Sequence, residues 1–193
     1  MGKFFFEKYF SDYQKILNDF LCDANHQYTL DKALELLNTA KKNGKNLLII
    51  GNGGSMAIAE HMAVDFTKNA KLRTFTLSNT SLLSAYANDF HYEAVFQKMI
   101  EDYGCFGDVL IAISSSGASK NILNACEIAK AKKMSIITLS GFSEENPLRK
   151  GGDLNFWVNS KAYGYVELIH NLILHYLNDA MIGSAEYQAC PSS

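Results

Sequence analysis

The run Leu47-Leu48-Ile49-Ile50, followed at once by Gly51-Asn52-Gly53-Gly54-Ser55, constrains the fold of this chain more than any other stretch. Four large apolar residues bounded by turn formers read as a strand buried on both faces, the mark of a central strand in a parallel sheet. Three glycines in four positions end it and leave backbone N–H groups uncovered, and Ser55 is a suitable N-cap for a helix over the next ten residues. Strand, glycine loop and helix in this order make a seat for an anion, because N–H groups at a helix start favour phosphate or carboxylate. A tight turn without a ligand fits the glycines as well. The loop departs from the dinucleotide pattern G-x-G-x-x-G, since Met56 stands at the last glycine, and from the Walker A loop, since no Gly-Lys-Ser/Thr follows.

The same loop-and-strand grammar recurs along the chain. Asp108-Val109-Leu110-Ile111-Ala112-Ile113 has the same doubly buried character and runs into Ser114-Ser115-Ser116-Gly117-Ala118-Ser119 ahead of a helix from about Lys120 to Lys132. Four hydroxyls and a glycine at the carboxyl end of an apolar strand stand where open α/β sheets place ligands, which favours a second and richer anion cradle over a merely solvated serine turn. Further strands are expected over 73–77, 135–139 and 154–158, and short helices over 81–87 and 91–103, with Asn88-Asp89 breaking the pattern between them. Upstream, Phe6, Phe10, Tyr13, Leu17 and Phe20 recur at helical spacing and form an aromatic seam that could lie on its own domain but is better suited to oligomerisation. A second helix is expected from Thr29 as N-cap to Gly44 as its stop.

Length and charge narrow the class. A chain of 193 residues with 48% hydrophobic content can bury one substantial α/β core, and a net charge of −2 gives no reason to expect nucleic acid or an anionic membrane as partner. Cys22, Cys105, Cys126 and Cys190 are irregularly spaced, without the pattern of a zinc knuckle or a disulfide framework. Phe4-Phe5-Phe6 is too short for a signal-peptide core and no apolar stretch reaches membrane-spanning length, so the cytoplasm is the expected location.

Two helices carry the residues that could do chemistry. His61 and Asp65 lie four apart after the glycine loop, among Ala59, Met62, Ala63, Val64 and Phe66. On a final helix over about 164–182, expected to be buried nearly all round, Glu167, Asn171, His175 and Asn178 form one polar stripe. If the stripes meet, His61, Asp65, Glu167 and His175 make a site of two imidazoles and two carboxylates, fit for Zn, Fe or Mn or for acid–base work without a metal. A structural polar cluster, or two unrelated pairs, would satisfy the same spacing. His170, five residues from His175, is set apart from that site. Beside two phosphate cradles, such a set suits aldose–ketose isomerisation, in which a base moves a proton between neighbouring carbons through an enediol and no electron carrier is needed.

Taken in order, Gly51–Ser55, His61, Ala87-Asn88-Asp89-Phe90, Gly107–Leu110, Ile113–Ser119, Ile137–Gly141 and His175 resemble the sugar isomerase (SIS) domain family, and within it the phosphoheptose isomerases. The resemblance implies a flavodoxin-like α/β/α sandwich with five parallel strands, one SIS domain over 1–193, oligomerisation helices over about 1–44, a tail over about 183–193, and a homotetramer with sites shared between subunits. It implies that Ser114, Ser115, Ser116 and Ser119 hold a sugar phosphate while Asn52, Gly53, Ser55 and Asp89 meet the sugar. His61 and His175 fall on its metal-binding or catalytic positions, with one zinc ion as the implied cofactor. Asp65 stands where the family has a catalytic glutamate, and Glu167 falls on a glutamine ligand. Either Glu167 moves the proton while Asp65 binds metal, or the chemistry serves a different sugar phosphate. A non-catalytic SIS regulator or adaptor is the rival class, though it has no need of two histidines and two carboxylates.

Overall fold

In the computed structural model, which describes residues 2–187, five parallel strands form one sheet with helices on both faces. The chain runs α1 (Gly2–Cys22), α2 (Ala24–Lys42), β1 (Leu47–Ile50), α3 (Gly54–Lys68), β2 (Thr74–Thr76), α4 (Thr80–Phe90), a 3₁₀ turn (Tyr92–Ala94), α5 (Val95–Tyr103), β3 (Val109–Ser114), α6 (Lys120–Ala131), β4 (Ser135–Ser140), a second 3₁₀ turn (Pro147–Lys150), β5 (Leu154–Trp157) and α7 (Tyr163–Ile182). Strand order is β2-β1-β3-β4-β5, so the winding reverses between β1 and β3. That reversal opens a crevice at the strands' carboxyl ends, where both expected cradles lie.

Every residue of β1 and of β3 is buried, and their side chains alternate between two cores. Leu47, Ile49, Val109, Ile111 and Ile113 join α2, α3 and α7 on one face, whereas Leu48, Ile50, Leu110 and Ala112 join α5 and α6 on the other. This two-sided burial is why both strands read as unbroken apolar runs. Among the described residues no helix is long and apolar enough to cross a membrane. Among the described residues Cys22, Cys105 and Cys126 are free thiols, and Cys190 and the last part of the expected tail, 188–193, lie outside the described residues.

Several boundaries differ from expectation for local reasons. Helix α2 starts at Ala24, because Asp23 caps it by accepting from Asn25 N at 2.8 Å, while the Thr29 hydroxyl donates back to Asn25 O inside the helix. Gly53, at φ 54°, occupies the cap of α3, and Ser55 is carried into the buried first turn. Asn88-Asp89 does not break α4, which continues to Phe90 and ends at His91 with φ 87°. The stretch 91–103 divides into the 3₁₀ turn and α5. Along α1 the aromatic seam parts: Tyr13, Leu17 and Phe20 pack on the core, whereas Phe6 and Phe10, with Phe4 and Phe5, are exposed. Helix α7 is not buried all round, since Leu168, Leu172 and Tyr176 form an outward apolar face.

On the inner face of α7, His170 is wholly buried and its Nε2–H donates to Ser140 O at 3.1 Å, tying the last carbonyl of β4 to the helix. Burial pushes its pKa down from 6.5 to about 4. Below the unfolded value the unfolded chain binds a proton that the folded chain refuses, so this residue's contribution to stability falls as pH drops from about 6.5 to 4 and is flat below. The loss across that window should reach about 3 kcal/mol. Urea midpoints of wild type and His170→Asn at pH 7.5, 6 and 4.5 measure it: the difference between the two proteins should shrink as the pH falls, and a constant difference would contradict a neutral buried imidazole.

Candidate functional site

The crevice at the sheet's switch point holds a cavity of about 140 Å³ lined by Asn52 and Ser55 from the glycine loop, Ser114, Ser115, Ser116 and Ser119 from the serine loop, and Tyr163 and Glu167 from α7. The serine loop is shaped by its own hydrogen bonds. Gly117 N donates to Ser114 O at 2.9 Å, and Ser114 Oγ lies 3.2 Å from Ser119 Oγ and 3.5 Å from Ser116 Oγ. Ser119 occupies the N-cap of α6, so the helix start opens toward this loop. Among the described residues buried Ser115 Oγ has no hydrogen-bond partner. A hydroxyl kept out of water without a partner is costly, and an oxygen-rich anion in the cavity would supply one. Among the described residues no lysine or arginine lines it.

Glu167 reaches this cavity because Gly54 lacks a side chain. A Cβ at Gly54 would lie 2.6 Å from both carboxylate oxygens of Glu167, so α3 and α7 approach with the carboxylate set directly against the first turn of α3. Glu167 also lines a wider, open groove with His61, Leu168 and Asn171.

Farther along the same pair of helices, His61, Asp65 and His175 converge, each offering a ligand atom within 4.8 Å of the others. Asp65 Oδ2 lies 3.4 Å from His61 Nε2 and 3.8 Å from His175 Nδ1, and the two imidazole rings are 5.2 Å apart. Zinc bonds of about 2.1 Å in a tetrahedron impose ligand–ligand edges of about 3.4 Å, so two nitrogens and one oxygen at these separations fit a small divalent ion with one position open. Asp65 is largely shielded while His61 is half exposed, which leaves the cluster accessible from the groove.

The structure therefore brings together three of the four residues expected to meet. Glu167 shares a face with His175 but sits eight residues earlier, about 12 Å along the helix axis. A common stripe fixes direction, not level. Asn171 lies between them, and Asn178 is buried in the interior. Asn52, Ser55 and the four serines gather as expected, and Gly53 turns the loop without lining the cavity. Asp89 does not join them: it lies exposed on α4 beside Asn88 Nδ2 at 3.0 Å. Tyr163 escaped the sequence reading, although its spacing of four from Glu167 puts both on one face of α7.

Residues 8–141 match the SIS domain. The phosphoheptose isomerase of Buchnera aphidicola is 35% identical over 176 residues, which cover 86% of this chain and 91% of that protein. The phosphoheptose isomerase of Helicobacter pylori is 37% identical over 174 residues, covering 81% and 90%. The structure of phosphoheptose isomerase GmhA from Neisseria gonorrhoeae matches with a TM-score of 0.87 and 27% identity, over 94% of this chain and 99% of that one. A family match over residues 8–141, relatives at 35–37% identity over most of both chains and a shared fold have one reading: this chain belongs to the SIS domain family, on its phosphoheptose isomerase branch.

Proposed function

We propose that the protein interconverts sedoheptulose 7-phosphate and glycero-manno-heptose 7-phosphate, an aldose–ketose isomerisation that supplies heptose precursors for surface polysaccharide. The observation that carries this reading is the single cavity wall on which a hydroxyl cradle free of cations and one carboxylate, Glu167, stand together. The serine loop and the start of α6 hold the phosphate, and Asn52 and Ser55 meet the sugar. Glu167 takes the proton from C1 of the ketose and returns it to C2, while a hydroxyl proton passes from O1 to O2. His61, Asp65 and His175 would hold a divalent ion, proposed to be zinc, which would supply Lewis-acid polarisation of an oxygen of the bound sugar. This assigns Asp65 to the ion and Glu167 to the proton. His175, beside His61 and Asp65, would bind the ion and face the reacting end of the sugar. Asp89 would have to come from elsewhere in the assembly or serve no substrate role.

The protein acts in the cytoplasm as one domain, and it assembles as a homotetramer through helices 1–44. The exposed aromatic side chains of α1 and the open groove beside His61 support an interface next to the site. The test is isotopic. Protein stripped with chelator and reloaded with zinc is incubated in heavy water with sedoheptulose 7-phosphate and with pentose and hexose phosphates, and bound metal is counted in parallel. Expected are about one zinc per chain, deuterium entering C1 or C2 of the heptose phosphate, and loss of exchange on stripping. Exchange confined to pentose or hexose phosphates would move the substrate, and none with any sugar would leave a binding protein.

A further inference from the structure

The amide of Asn52 is held from outside the cavity by two residues that do not line it. Asn52 Nδ2 donates to Asn121 Oδ1 at 3.0 Å, and Asn121 Nδ2 donates back to Asn52 Oδ1 at 2.9 Å. The Tyr92 hydroxyl donates to the same Asn52 oxygen at 2.8 Å. A primary amide has two N–H donors and two acceptor lone pairs. Both lone pairs and one N–H are therefore spent inside the protein, and the capacity left to Asn52 is one N–H.

Asn121 is 4% exposed in the first turn of α6, and Tyr92 stands on the 3₁₀ turn that follows α4. That turn is in turn fastened to α6, through Lys120 Nζ to Glu93 Oε1 at 3.1 Å and Asn124 Nδ2 to Glu93 O at 3.1 Å. The reciprocal amide pair thus bridges the two cradles, one following β1 and the other following β3.

We propose that Asn121 and Tyr92 are positioning residues for Asn52, which they fix as a donor-only contact, so that the ligand atom opposite it must be an acceptor: a carbonyl, hydroxyl or phosphate oxygen. A ligand offering only a donor at that point is rejected, because Asn52 has no lone pair left for it. The identity of the ligand rests on the sugar-phosphate reading above. The bonding pattern does not.

A double-mutant cycle separates action through Asn52 from a merely structural role. For Asn52→Ala, Asn121→Ala and the double variant, kcat, KM and thermal midpoint are measured with sedoheptulose 7-phosphate, together with its Kd by titration calorimetry. Loss of one oriented hydrogen bond should raise KM and Kd about tenfold in Asn121→Ala, with a smaller change in kcat. The double variant should match Asn52→Ala within about twofold, because Asn121 has nothing left to orient. Effects that multiply, or an unchanged KM in Asn121→Ala, overturn the proposal. Tyr92→Phe, a change at an exposed position, carries the test if the Asn121 variants fold poorly: it should raise KM about threefold at an unchanged midpoint, and no change would count against it. If the wild type turns over no sugar phosphate, the reaction assignment falls and the cycle is read in Kd alone. Absence of both turnover and binding removes this proposal as well.

Discussion

Glu167→Gln is expected to lower kcat by about 10²–10⁴-fold, the usual contribution of a positioned base, while leaving zinc content at its wild-type level and KM within a few-fold. The substitution keeps the shape of the side chain, so the close approach to Gly54, where a Cβ would stand 2.6 Å from the carboxylate oxygens, is preserved. It removes only the ability to accept a proton. His61, Asp65 and His175 form their cluster without Glu167, so an ion bound there would have no reason to leave. Steady-state kinetics, metal analysis and the heavy-water exchange read on one preparation decide the matter. The opposite assignment, with Asp65 as base, predicts a different pattern: Glu167→Gln would then keep nearly full activity, since the SIS resemblance places a glutamine at this position. Retained activity would therefore overturn the division of labour between the two carboxylates, yet leave the isomerase reading standing.

Gly117→Ala should be the most damaging single methyl group added to the cradle. Gly117 has φ 64°, and a Cβ there would lie 2.0 Å from Asn146 Oδ1 and 2.7 Å from Asn146 Cβ. Asn146 cannot step aside cheaply. It is 3% exposed, its Nδ2 donates to Gly141 O at 3.2 Å and Ser143 O at 2.7 Å, and its Oδ1 accepts from Arg149 N at 2.9 Å. Leu148 N also donates to Gly117 O at 3.0 Å, so the serine loop and the 147–150 turn are braced against each other. Left-handed strain and a forced displacement together should cost about 3 kcal/mol. The expected result is a lower guanidinium midpoint and, in whatever remains folded, loss of sugar-phosphate binding. A variant with wild-type midpoint and affinity would mean that the brace has no bearing on the cradle.

The parts of this architecture that were legible in the sequence are those encoded by neighbours in the chain. β1 and β3 announce themselves because burial on both faces forces unbroken apolar runs, and Ser114–Ser119 is readable as a cradle from its place after such a strand. Helix starts were less legible. Asp23 and Thr29 are both good capping types, and the choice between them was made by chain geometry that a spacing argument does not contain. The site was legible as a set of residues and not as a map. His61 and Asp65 meet because they are one turn apart, but Glu167 and His175 share a stripe at different levels. Asn121 and Tyr92 left no signal, since their bonds to Asn52 span 69 and 40 residues and exist only once β1 and β3 lie side by side.

The phosphate seat proposed above, for which the described residues offer hydroxyls, amides and the start of a helix, has a cost and a benefit. Among the described residues no lysine or arginine lines it and the net charge is −2, so long-range pull on the substrate would be left to the divalent ion proposed at His61, Asp65 and His175, and the phosphate end would be held by fit. The benefit lies in release: neutral donors let go of a phosphate more readily than a guanidinium fork does, which suits an enzyme whose product is its own substrate's isomer and carries the identical handle.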